Sequence, residues 1–311
     1  MKTLLTYFRS FLKELHLFYY TSVSLLVAAL LYLNYRHGLE KIYIDAGTWF
    51  ARYVKYFLLF FTAYAGAFLL QLPFLKKINW YKQPWFWIIL FAGPLLFSWK
   101  VNFDFFNPWI STQWTYPYYE VYHYSINWIV RVLAVMLPVI FIWWIKDRPE
   151  QPFYGIKKTK NLQPYLWMIA ILVPLVAAAS TQPDFLRMYP KAKNISAVPV
   201  NTVTDYGYYL FFELSYGFDF VSIEFFFRGF LILSLIKICG KEAIVPMAAF
   251  YCTIHFGKPL GEAISSYFGG LLLGIVAYHT RSVWGGLMVH LGIAWLMELG
   301  GWLGNHIAHT G

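Results

Sequence analysis

The sequence predicts an all-α fold, a polytopic transmembrane bundle of about eight membrane helices, and three observations predict it. Apolar runs long enough to cross a bilayer recur along the whole chain. Charged residues make up only 13% of it and hydrophobic ones 59%, where a soluble domain carries about 25% charged residues. Aromatic residues reach 22%, more than a core needs, and Trp and Tyr in such numbers suit the two half-wet rims of a bilayer.

In chain order the apolar runs fall at 17–35, 49–73, 84–99, 124–145, 163–181, 206–236, 243–257, 261–280 and 283–303. The first follows Lys2, Arg9 and Lys13 but is too long for the apolar part of a signal peptide, and no small-x-small site comes after it. It reads as a retained membrane helix. The third and seventh runs are short and read as tilted or re-entrant. The sixth is long enough for one tilted helix or for two elements meeting near Gly217.

Loop charge orients these runs. With a cytoplasmic N-terminus and strict alternation, the inside segments hold 14 Lys and Arg, among them Lys2, Lys76, Lys77, Lys158 and Lys160, against 7 outside. That is a positive-inside bias. The expected location is the inner membrane of a bacterial cell. The net charge of +10 does not point to nucleic acid, because the basic residues sit in short clusters between apolar runs rather than on one polar face. Cys239 and Cys252 form no CxxC pair and read as buried free thiols. No internal repeat supports an inverted-repeat transporter.

The chain divides by its polar content. Residues 1–200 read as membrane helices without a recognisable motif, and their few intramembrane cations, Arg52, Lys55 and Arg131, lie where they can snorkel. Residues 201–311 differ. An ionisable side chain in hydrocarbon costs roughly 2.5–3.5 kcal/mol on insertion scales, yet Glu213, Asp219, Glu224 and Arg228 all fall within one apolar stretch. Glu224 and Arg228 are one helical turn apart with the acid first, the better order for an ion pair. Glu213 lies three turns before Glu224, on the same face of a continuous helix. His255 ends the next apolar run, and Glu262 falls in the first turn of the helix that Pro259 opens. His290 sits deep in the last run, with Ala294 and Glu298 one and two turns on. A glutamate with an arginine and two histidines, each on its own helix, can do acid–base work, hold an oxyanion or bind a metal. A peptidase fits these parts, and so does a proton-coupled transporter using Glu213, Asp219 and Glu224.

Three motifs carry a resemblance. Glu224-Phe-Phe-Phe-Arg228-Gly229-Phe230-Leu231, then Phe250 to His255, then His290 resemble, in order and spacing, the motifs of the CPBP family. These are membrane-embedded proteases related to the Ras-converting CAAX prenyl endopeptidase, also called the Abi family. The family pattern is Glu-Glu-x-x-x-Arg, Phe-x-x-x-His and His-x-x-x-Asn or Asp. The resemblance covers about residues 205–300. It departs in three places: Ile223 replaces the first Glu, which in the family activates the water. Tyr251 holds the place expected for Phe, with Phe250 one residue earlier, and Ala294 replaces the Asn or Asp.

The resemblance implies an intramembrane endopeptidase cleaving a membrane-associated protein or peptide. It implies Glu224 as base, Arg228 holding it, and His255 and His290 stabilising the oxyanion or binding a divalent metal such as zinc. The alternative is an inactive relative acting as a membrane scaffold or bacteriocin self-immunity factor. With Ile223 and Ala294 apolar, Glu262, Glu298 and Glu213 are the candidates to supply the missing support, Glu262 foremost as a carboxylate behind His255.

Overall fold

The computed structural model describes residues 2–74, 79–157 and 162–310, the side chains of 2, 3 and 308–310 excepted. Lys76, Lys77, Lys158 and Lys160 of the charge balance lie outside the described residues, as does the side chain of Lys2. The described residues form an all-helical bundle: α1 Lys2–Glu14, α2 Leu17–His37, α3 Trp49–Leu69, α4 Pro84–Asn102, α5 Asn107–Gln113, α6 Tyr118–Ile142, α7 Gln163–Ala179, α8 Pro183–Met188, α9 Val203–Glu224, α10 Ile244–Thr253, α11 Leu260–Thr280 and α12 Trp284–Thr310. Their limits follow local chemistry. Pro84 and Pro183 open α4 and α8, where a missing N–H costs nothing. Gly38, at φ 68°, closes α2 in the left-handed conformation that glycine adopts without strain. Thr202 and Asp205 cap the start of α9 reciprocally.

Five helical stretches among the described residues are long and apolar enough to cross a membrane, or six if the pair 163–179 and 183–195, bent by 96°, is one span. That is fewer than the eight expected. The remaining apolar runs are α3, which carries Arg52 and Lys55, α9, which carries four acids, and α10, which has only ten residues. At 1.5 Å per residue α10 is about 15 Å long, half the hydrocarbon thickness. The long sixth run is one continuous element rather than two. It is α-helical to Glu224 and π-helical over Phe225–Leu233, a widening that favours functional sites.

Contacts at the helix ends sort them onto two faces. On one, Gln71 is fully buried and donates to Glu242 O at 2.7 Å and to Tyr19 Oη at 3.1 Å, while Trp80 Nε1 donates to its Oε1 at 2.8 Å. One amide thus joins the start of α2, the end of α3 and the approaches to α4 and α10. Lys241 pairs with Glu14 on the same face. On the other, Asn34 Nδ2 donates to Phe256 O at 2.9 Å and Tyr35 O–H donates to Lys258 O at 2.7 Å, which joins the ends of α2 and α10. Trp49 Nε1 reaches Asn102 O there at 2.8 Å, and Arg52 pairs with Asp104. At the centre lies α10, against α2, α3, α11 and the π segment. Phe250 packs on Phe60, Tyr64, Phe97, Phe226 and Phe227, so one apolar core runs through both the motif-free and the motif-bearing parts of the chain.

Candidate active site

The core brings Glu224, Arg228, His255 and His290 around one tyrosine. Glu224 ends α9 and Arg228 stands one turn on, in the π segment; both are fully buried. Arg228 Nη1 lies 3.1 Å from Glu224 Oε1, the pair that the spacing predicts. A guanidinium has five donors, so a second acid or a carbonyl is expected around Arg228. The structure supplies neither as a hydrogen-bond partner among the described residues; instead the guanidinium lies 4.3 Å from the centre of the Tyr251 ring. The aromatic face attracts the cation in place of further oxygens.

Glu224 also joins His290, whose Nδ1 lies 2.9 Å from the same Oε1. An ionised carboxylate only accepts hydrogen bonds, so Nδ1 carries the proton and Nε2 the lone pair. The Tyr251 hydroxyl lies 3.2 Å from that Nε2 and donates to it. His255 is oriented differently: its Nδ1 donates to the Tyr251 carbonyl at 2.9 Å. Its Nε2 therefore also presents a lone pair. The His255 and Tyr251 rings are 4.7 Å apart at their centres. Close packing needs room behind the carboxylate, and Gly286 in the first turn of α12 provides it: a Cβ there would collide with Glu224 Oε2. That oxygen is buried without a hydrogen-bond partner.

The three supporting acids turn elsewhere. Glu262 accepts the Tyr189 hydroxyl at 3.1 Å on both oxygens and lies 3.6 Å from Lys258 Nζ, which itself donates to Tyr189 Oη at 2.9 Å. No hydrogen bond joins Glu262 to His255. Glu298 caps the short 3-10 helix Lys191–Ile195, accepting the N–H groups of Lys191 at 2.8 Å and Ala192 at 3.2 Å. Glu213 is half-buried with Oε2 unpartnered. Asp219 pairs with Lys100 at 2.7 Å, so Glu213, Asp219 and Glu224 do not form a hydrogen-bonded relay among the described residues. Ile223 and Ala294 are buried, at 7% and 3% exposure, and supply no polar group.

Beyond the site, on the face where α2 and α10 end, Glu40 approaches Gly257. Burial pushes its carboxyl up to about 7, although the Tyr56 hydroxyl, 3.1 Å from Oε1, pulls the other way.

The donor set does not fit a divalent metal. Among the described residues no three His, Cys, Asp or Glu side chains converge as ligands. His290 Nδ1 is committed to Glu224, its Nε2 to Tyr251, and His255 Nδ1 to a backbone carbonyl, which leaves one imidazole nitrogen where zinc takes three or four ligands.

Sequence reasoning placed the four polar residues and passed over Tyr251 as a filler of the expected aromatic position. Its signal was a hydroxyl where the pattern has Phe, four residues before His255. Tyr189 gave no signal, because it reaches Glu262 from 73 residues away.

Comparison with known proteins gives one family match. Residues 207–296 match the family model described as type II CAAX prenyl endopeptidase Rce1-like. The matched stretch contains Glu224, Arg228, His255 and His290 and stops short of Glu298. No curated protein and no solved structure matches the chain. Over residues 207–296, about a third of its length, the chain is thus similar to the Rce1-like type II CAAX prenyl endopeptidases.

Proposed function

We propose that the protein is an intramembrane endopeptidase that hydrolyses a peptide bond of a membrane-associated protein, with His290 as general base and Glu224 as the carboxylate that orients it. The observation that carries this reading is the unbroken line Glu224–His290–Tyr251, at 2.9 and 3.2 Å, with His255 alongside. A carboxylate behind an imidazole fixes its tautomer and raises its basicity. Glu224 itself is a poor candidate for direct contact with water, since it is fully enclosed while the His290 side chain keeps 13% of its surface exposed. In the reaction, water entering at Nε2 gives a proton to His290 as its oxygen attacks the carbonyl carbon. The imidazolium, stabilised by Glu224, then passes that proton to the departing amide nitrogen as the C–N bond breaks. The Nε2 lone pair of His255 accepts the second water hydrogen and fixes the direction of attack. Arg228 balances the charge of Glu224 in an apolar surround. No step needs a metal. The charge bias of the loops supports a bacterial inner-membrane location with the N-terminus inside.

The test uses purified protein in proteoliposomes with quenched peptides, prenylated and unprenylated. His290→Ala, His255→Ala and Glu224→Gln should each lower kcat by about 10²-fold or more, and a chelator should leave the rate unchanged. Cleavage that persists in His290→Ala would sink the assignment. One observation favours a second reading, an inactive relative serving as a scaffold: Glu224 Oε2 is sealed against Gly286 and Ile223 holds the place of the family's first Glu. Identical protein termini in cells with and without the gene would decide for it.

A further inference from the structure

Tyr251 stands where the family pattern has Phe, so its hydroxyl is what this chain adds. The family's polar positions at 223 and 294 are filled here by buried Ile223 and Ala294. A water held in apolar surroundings needs about two to four polar partners. In the tautomers set by Glu224 and by the Tyr251 carbonyl, His290 and His255 both present Nε2 lone pairs. Two acceptors can take the two hydrogens of a water, but neither can bind its oxygen, so a donor is still required. Arg228 is fully buried and lies against the Tyr251 ring, 4.3 Å from its centre. The Tyr251 O–H lies 3.2 Å from His290 Nε2, and the ring that carries it packs against His255 at 4.7 Å between centres, which makes this hydroxyl the donor set beside the two imidazoles.

We infer that the Tyr251 hydroxyl is a catalytic residue of this site: it donates to the oxygen of the reacting water and takes over the task of the polar side chain that position 294 lacks. At rest it occupies His290 Nε2. When the water enters, the O–H turns to the water oxygen and a water hydrogen takes its place on Nε2, leaving the second lone pair of the oxygen to attack. The inference rests on the peptidase reading.

Tyr251→Phe restores the family's own residue and keeps the ring packed on Arg228, so it isolates the hydroxyl from the fold. Its kcat should fall by about 10²-fold, the cost of removing one preorganised donor, with KM little changed. Ala294→Asn places an amide one turn after His290 on the same helix face, and in the Tyr251→Phe background it should restore part of the lost kcat. A readout that needs no turnover is the nitrogen NMR signal of His290 Nε2, assigned with His290→Ala: it should move in Tyr251→Phe. Tyr251→Phe within twofold of wild type, while His290→Ala is dead, overturns the inference and leaves the peptidase reading standing. An unmoved Nε2 signal also overturns it. A wild-type protein that cleaves none of the peptides overturns the peptidase reading and this inference with it.

Discussion

Helices α2 and α10 lie side by side and are built to opposite plans. In α2 the buried residues are Tyr19, Val23, Val27, Leu30 and Asn34, one stripe at helical spacing, while Leu17, Phe18 and Leu25 stand out at 66–70% exposure. In α10 all ten residues are buried. The first needs one correct face and can leave the rest to lipid; the second has protein on every side. Enclosure is what lets the neighbourhood of α10 hold ions. Glu224 and Arg228 balance each other inside a protein shell, and neither has to meet hydrocarbon alone.

The contrast is broken most forcefully at Arg228. Arg228→Ala leaves Glu224 buried without its cation, and breaking a buried pair costs about 3–5 kcal/mol. The exposed pair Lys237–Glu150, at 68% and 47% exposure, should cost under about 1 kcal/mol when Lys237 is replaced by Ala. Detergent thermal unfolding of the two variants should differ accordingly, and equal losses would erase the distinction between enclosed and peripheral charge.

A second effect is pH-dependent and belongs to the loop that covers the end of α10. The carboxyl of Glu40 is raised to about 7 by burial. A folded-state pKa above the unfolded one means that the native state holds the proton longer, so stability falls as pH rises from about 4.5 to about 7 and then levels off. The fall amounts to at most about 3 kcal/mol at 1.36 kcal/mol per unit. Glu40→Gln should flatten the profile over that range; an unchanged slope would assign it to other groups.

The smallest effect sharpens the comparison at single atoms. Gly286→Ala drives a methyl into Glu224 Oε2 and should cost about 1–3 kcal/mol as well as activity. At Gly269, on α11, nothing lies within 4 Å of an added Cβ, so Gly269→Ala should be neutral or stabilising by up to about 1 kcal/mol. Activity and unfolding midpoint, measured on both, separate the two positions.

The lipid-facing part of this molecule is legible in its sequence and the enclosed part only partly so. Hydropathy locates α2, α4, α6, α7, α11 and α12, because a lipid-facing helix must be apolar over its whole length. The Glu224–Arg228 pair follows from helical spacing alone. The meeting of His290 with Glu224 across 66 residues does not; it was reached through the family motifs. The expectation for Glu262 pointed at His255, its neighbour in sequence, whereas the carboxylate binds Tyr189 and Lys258. Proximity along the chain cannot foresee a partner delivered by the segment between α7 and α9. Tyr251 was hidden for another reason. In a chain with 25 tyrosines, one hydroxyl carries no pattern until tertiary packing aims it.

The shortness of α10 constrains how the protein is made. Ten apolar residues, about 15 Å of helix, cannot cross the hydrocarbon core as an autonomous segment leaving the translocation channel. Carbonyls that flank its two ends find partners in earlier parts of the chain: Asn34 from α2 donates to the carbonyl of Phe256, and Gln71 after α3 donates to that of Glu242. Its entry is therefore a late event, in company with α11, into a socket formed by earlier-synthesised helices. The walls of that socket come from α2 and α3, in the part of the chain without motifs, and from α11 and the π segment.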